Sequence, residues 1–174
     1  MVRHAIVTLA SMDIMNGTDA NFRPASAITR AELASAVVLA FDLLTTTVPN
    51  HFTDNSPGNR YYHAINTAVH LGFMQGYEDN TFRGSWAITK NDLVFAVSEA
   101  MAWRMGYWYP TNIEDVLAQF QDRDSLAQWA ESGIAMTTAS NVLILREDGL
   151  FAPDSVITRG DAAVIIYRML GRLW

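Results

Sequence analysis

Three stretches of the chain carry apolar residues at the same helical spacing. Leu33, Ala36, Val37, Ala40 and Phe41 recur as Leu93, Ala96, Val97, Ala100 and Met101, and again as Ala162, Ile165, Ile166, Met169 and Leu170. Spacings of three and four place each set on one helical face, so each stretch predicts an amphipathic helix with one buried stripe. A common lead-in precedes all three. It runs from Phe22 to Leu33, from Phe82 to Leu93 and from Phe151 to Ala162, and carries Ile-Thr at the same place each time. Further upstream, His4-Ala5-Ile6 and Met15-Asn16-Gly17 return as His63-Ala64-Ile65 and Met74-Gln75-Gly76. A matching helix is expected from about Ser125 to Asn141, with Trp129, Ile134 and Val142 as its apolar contacts and Leu145 where the other copies carry glycine. The chain therefore reads as three degenerate copies of one helix-loop-helix unit, an all-α fold.

The copies are expected at residues 1–47, 51–106 and 120–174. The second and third open with Phe52-Thr53-Asp54 and Phe120-Gln121-Asp122, segments without a counterpart in the first. Between them, residues 107–119 read as an insertion: Gly106 and Pro110 break the preceding helix, and Thr111-Asn112 can cap a short helix reaching about Gln119.

Composition narrows the function classes. Half of the 174 residues are hydrophobic and only 17% are charged, which is globular rather than disordered. A net charge of −6 argues against a phosphate-backbone binder, so nucleic acid is not an expected partner. No apolar run approaches the roughly 20 residues of a membrane-spanning helix. The absence of cysteine excludes a disulfide framework and a thiolate metal site. The first residues lack the basic and apolar regions of a secretory signal, so a secreted protein would be seen here trimmed or as an excised domain.

Candidate chemistry gathers where the lead-in becomes helix. Thr29-x-x-Glu32 is a capping box, and Thr89-x-x-Asp92 and Thr158-x-x-Asp161 are shorter-armed versions. Thr29→Ala is expected to cost about 1 kcal/mol through the lost cap, read as a lower melting temperature. The second residue of each box, Arg30, Lys90 or Arg159, puts a cation where the helix dipole is already positive. Such a cation is either a solvated charge or, together with exposed backbone N–H groups, a seat for a carboxylate or phosphate. On the ligand reading, Arg30→Ala should weaken binding and leave stability almost unchanged. The loops ahead of each aromatic, including Gly76, Tyr77 and Asp79, carry turn formers. None has the acid spacing and closing Glu of an EF-hand loop, so neither a metal nor a cofactor is expected.

The Phe-x-Asp opening, the helix, the Gly-Tyr-x-Asp loop of copy two and Ile28-Thr29-Arg30-Ala31-Glu32 together resemble the S-layer homology (SLH) domain over almost the whole chain. The resemblance implies a pseudo-threefold assembly with the capped helices bundled at its centre. It also implies extracellular anchoring of a bacterial protein to a peptidoglycan-linked cell-wall polysaccharide, often through a pyruvylated sugar held in inter-repeat grooves. Arg30 and Arg159 would then take the ketal carboxylate, with Tyr77 and Trp86 as stacking aromatics. Copy two departs from the pattern with Lys90-Asn91-Asp92, and copy three with Gly160-Asp161, so the grooves should be unequal.

Two other readings compete. No Ser-His-Asp or HExxH pattern accompanies the four histidines, and no enzyme is expected. A structural or assembly module that keeps the fold but binds a partner protein, or builds a surface layer by self-association, is the stronger rival. Trp103, Tyr107, Trp108 and Tyr109 would be either its contact patch or a hydrophobic seal between copies.

Overall fold

A computed structural model describes residues 1–17, 21–106, 110–144 and 146–172. Tyr107, Trp108, Tyr109 and Leu145, among the aromatic and loop positions named above, lie outside them. Seven α-helices are present among the described residues: α1 (Val2–Ser11), α2 (Arg30–Ala40), α3 (Tyr62–His70), α4 (Lys90–Met105), α5 (Ile113–Leu117), α6 (Gln128–Ala139) and α7 (Arg159–Leu170). A single 3-10 turn covers Arg123–Ser125. The fold is all-α, and among the described residues extended pairing is limited to isolated bridges.

Helices α2, α4, α5 and α7 start where a side chain satisfies a backbone donor. Thr29 and Glu32 form a reciprocal capping box on α2, and Thr89 and Asp92 form one on α4. On α7, Asp161 donates its N–H to the Thr158 hydroxyl, and that hydroxyl donates to the Asp161 carboxylate at 2.7 Å. All five stripe residues of α4 and of α7 are buried, as are Leu33, Ala36 and Val37 of α2. Ala40 and Phe41 are half-buried at its end.

The helices α2, α4 and α7 touch one another, and each carries one upstream helix: α3 lies on α2, α6 on α4, and α1 on α7. Each upstream helix thus packs on the capped helix of another copy. The cap segments are joined by a ring of backbone hydrogen bonds. Ile28 N–H donates to Ile157 O at 3.0 Å, Ile157 N–H to Ile88 O at 3.2 Å, and Ile88 N–H to Ile28 O at 3.2 Å. All three isoleucines are buried, so the ring closes in a dry environment where an unmade hydrogen bond would be costly.

The Phe-x-Asp openings brace the loops. Asp54 accepts from the N–H groups of Phe82 and Arg83 at 2.8 and 2.7 Å, and Asp122 accepts from those of Phe151 and Ala152 at the same distances. Arg83 and Ala152 have left-handed backbones, φ 58° and 54°, a conformation that holds only where its surroundings fix it. The two aspartates supply that fixing with charge-assisted bonds.

Candidate functional site

The three box cations do not project into solvent. Arg30, Lys90 and Arg159 are 7%, 8% and 6% exposed. Arg30 donates from Nε to Phe82 O at 2.9 Å and from Nη2 to Gln75 O at 2.5 Å. Arg159 repeats this with Phe22 O at 2.8 Å and Asn16 O at 2.9 Å, and adds an ion pair from Nη1 to the Glu32 carboxylate. Lys90 reaches Phe151 O alone. Burial, followed by the nearby charge of Arg146, pushes the Lys90 ammonium below the usual lysine range. Its ionised form is therefore disfavoured in the fold, and stability should rise as pH climbs through that lowered value toward the unfolded one.

The solvated-charge reading of these cations is thus corrected, as is the expectation of exposed first-turn N–H groups. Arg30 and Ala31 donate to Trp86 O and Gly84 O, Lys90 and Asn91 to Ser155 O and Pro153 O, and Arg159 and Gly160 to Ser26 O and Pro24 O, all between 2.8 and 3.1 Å. Each helix N-terminus is sealed by the lead-in of another copy. A cation there is tolerated because each side chain turns to loop carbonyls, whose partial negative charge offsets the dipole.

The cations form the floors of three grooves at the seams between copies. The Arg30 groove, about 380 Å³, has Phe73, Met74 and Gln75 on one side, Asp92 and Phe95 of α4 on the other, and Trp129 of α6 at its rim. The Arg159 groove is only about 80 Å³ and is lined by Asp13 to Asn16, by Glu32, Ser35 and Leu39 of α2, and by Arg60 and Tyr61. The Lys90 groove is about 490 Å³ and includes Leu143, Ile144, Arg146, Asp161, Ile165 and Arg168. The lining positions correspond from groove to groove, with Trp129, Arg60 and Met1 at the same place in the repeat.

Trp129, expected as a core contact of its helix, is instead 59% exposed. It sits at the second residue of α6, off the face that buries Ala130, Ile134 and Thr137, and meets Phe95 edge-on at 5.8 Å. Ile134 and Val142 are buried as expected.

The remaining candidates cluster beside the Arg30 groove. Tyr77 and Trp86 face each other at 6.1 Å, and the Arg30 guanidinium lies 5.1 Å from the Tyr77 ring. Sequence reasoning missed Arg83, which lies 3.8 Å from the Tyr77 ring centre and 4.6 Å from that of Trp86, and pairs with Asp79. Its only signal is position, directly after the loop phenylalanine, like Arg23 in copy one. The Thr81 hydroxyl, with Arg83, holds the Asp79 carboxyl below the usual range. Gly76 has a packing reason: a Cβ there would lie 2.1 Å from Cε1 of Phe52. Trp103 is 48% exposed and meets Phe73 edge-on at 6.4 Å. Of the matched histidines, His4 Nε2 is 3.1 Å from the Tyr167 hydroxyl, and His63 packs on Tyr62.

Lys90→Arg is expected to stabilise the protein by about 1 kcal/mol, because an arginine could add to Phe151 O a second bond at Ile144 O, the counterpart of Gln75 O and Asn16 O. Chemical denaturation checks this, and an unchanged midpoint would count against the carbonyl pattern as a source of stability.

These features define a helical repeat module with a cation-floored groove at each seam. The chain belongs to the S-layer homology domain family, whose pattern matches residues 5–34, 52–93 and 119–163. It is 27% identical over 170 residues to the exoglucanase XynX of Acetivibrio thermocellus, 28% over 170 to an amylopullulanase of Thermoanaerobacterium thermosulfurigenes, and 26% over 172 to the surface-layer 125 kDa protein of Lysinibacillus sphaericus. Each match covers 97% of this chain but only 15%, 9% and 14% of the relative. At the level of the family the chain is a cell-surface anchoring module, and the enzymes among its relatives are far longer proteins.

Proposed function

We propose that this chain anchors a bacterial protein non-covalently to a peptidoglycan-linked cell-wall polysaccharide outside the cell, with a carboxylate-bearing, pyruvylated sugar seated in the Arg30 groove. The observation that carries this reading is a buried guanidinium at the floor of an open groove, with an exposed indole, Trp129, at its rim. Arg30 makes no ion pair with any carboxylate among the described residues, so an anionic ligand would supply the missing countercharge. Trp129 offers an apolar face for a sugar ring, and Tyr77 and Trp86, beside Gly76 and Asp79, extend the surface past Arg30. Lys90 would serve a second, weaker site, since a point charge lacks the planar fork of arginine. The seams would be related by the pseudo-threefold arrangement of the family, with copies at residues 1–47, 51–106 and 120–174.

The test is retention of the purified chain on Gram-positive cell-wall sacculi before and after hydrofluoric acid strips the attached polymer. Retention should disappear on stripping, and Trp129→Ala should weaken it without shifting the melting temperature, because the indole is mostly solvent-exposed. Equal retention on stripped walls would reject the polysaccharide as ligand. No retention on intact walls from several sources would favour the assembly-module reading.

A further inference from the structure

We infer that the length of the capping acid decides which grooves are open: Glu32 occupies the ligand-carboxylate position on Arg159 and closes that groove, whereas Asp92 and Asp161 are one methylene too short to close theirs. The inference rests on the polysaccharide-anchor reading for the identity of the ligand, but its structural core stands on geometry alone.

The three acids hold the same position, third in α2, α4 and α7, and each lies in a groove with the cation of another copy. Glu32 divides its two oxygens: Oε2 accepts the Thr29 N–H at 2.9 Å, and Oε1 pairs with Nη1 of Arg159. Asp92 places Oδ2 on both the N–H and the hydroxyl of Thr89, each at 2.9 Å, and makes no ion pair with Arg30. Asp161 likewise stays on the Thr158 hydroxyl and makes no ion pair with Lys90, which donates to Phe151 O instead.

The consequence is graded across the seams. Arg159 has Nε, Nη1 and Nη2 all committed, and its groove is the narrow one of about 80 Å³. Arg30 has Nε and Nη2 committed, Nη1 without a protein acceptor among the described residues, and a groove of about 380 Å³. The pair of side chains in the closed groove is 8% and 17% exposed, so an incoming carboxylate would have to displace a largely desolvated partner. Glu32 is thus both the cap of its helix and an internal substitute for the ligand.

Glu32→Asp and Asp92→Glu exchange the two states while leaving each helix a capping acid, since both Asp and Glu make the box here. Phenylglyoxal labelling followed by peptide mass spectrometry reads guanidinium availability without any ligand. In the parent, Arg30 should react faster than Arg159. Glu32→Asp should raise Arg159 labelling about tenfold, and Asp92→Glu should suppress Arg30 labelling to a similar degree. Titration calorimetry with a methyl hexoside bearing a 4,6-pyruvyl ketal should then show one site more than the parent for Glu32→Asp and one fewer for Asp92→Glu. Labelling that ignores both exchanges overturns the inference, as does a parent that binds the ketal with an unaltered number of sites in both variants. Labelling that switches while no protein binds the ketal would uphold the selector and reject the anchor reading.

Discussion

Phe82→Ala is expected to lower stability by about 4 kcal/mol, a fall in melting temperature on the order of 10 °C for a chain of this size. The ring is fully buried and packs against Phe52 at 5.5 Å. It also lies 4.8 Å beneath the Arg30 guanidinium, while its carbonyl accepts from Arg30 Nε. Truncation would leave a void bounded by a helix, a loop and a buried cation, three elements that cannot all collapse into it. The floor of the Arg30 groove should loosen with it, so sacculus binding should fall along with stability. A thermal melt beside the wall pull-down checks both, and a loss below about 1 kcal/mol would mean that the site can repack.

The second large effect is at Arg159. Arg159→Ala should cost about 3 kcal/mol, because it orphans a mostly buried Glu32 oxygen and removes donors from Phe22 O and Asn16 O. The pair joins the third copy to the first, so the loss falls on a seam rather than within one unit. A double-mutant cycle with Glu32→Ala should give a coupling of about 1 to 3 kcal/mol. Independent effects of the two substitutions would show that the ion pair adds little beyond the carbonyl bonds. The same logic revises the expectation for Arg30→Ala: with two loop carbonyls depending on it, that substitution should also destabilise, and binding loss alone would not identify a ligand contact. For this reason Trp129, exposed and outside the core, is the cleaner position for testing the groove.

The unequal grooves are consistent with a repeat protein whose copies have diverged at single positions. Trp129, Arg60 and Met1 share one rim position, so the same backbone presents an indole, a guanidinium or a thioether to three otherwise matching sites. A ligand with both a carboxylate and an apolar ring face would find a guanidinium without an ion pair beside an exposed indole in the Arg30 groove. Copy two makes the walls of that groove, with its loop residues Phe73 to Gln75 and its helix residues Asp92 and Phe95.

What the sequence determined by itself is what lies within a few residues. The apolar stripes, the capping threonines with their acids and the threefold recurrence of the unit were legible because helix periodicity and caps are local. The Phe-x-Asp openings were visible as a motif, although their use as clamps on backbone N–H groups was not. The tertiary structure decided everything at the seams. Arg159 finds its partners 127 to 143 residues away in the chain, and Arg30 finds its own 45 and 52 residues away. No local spacing encodes such pairs; they follow from each upstream helix packing on the capped helix of another copy. That packing turned three apparently exposed cations into groove floors, consumed the first-turn N–H groups, placed Arg83 over Tyr77 and Trp86, and brought Trp129 to the rim above Arg30.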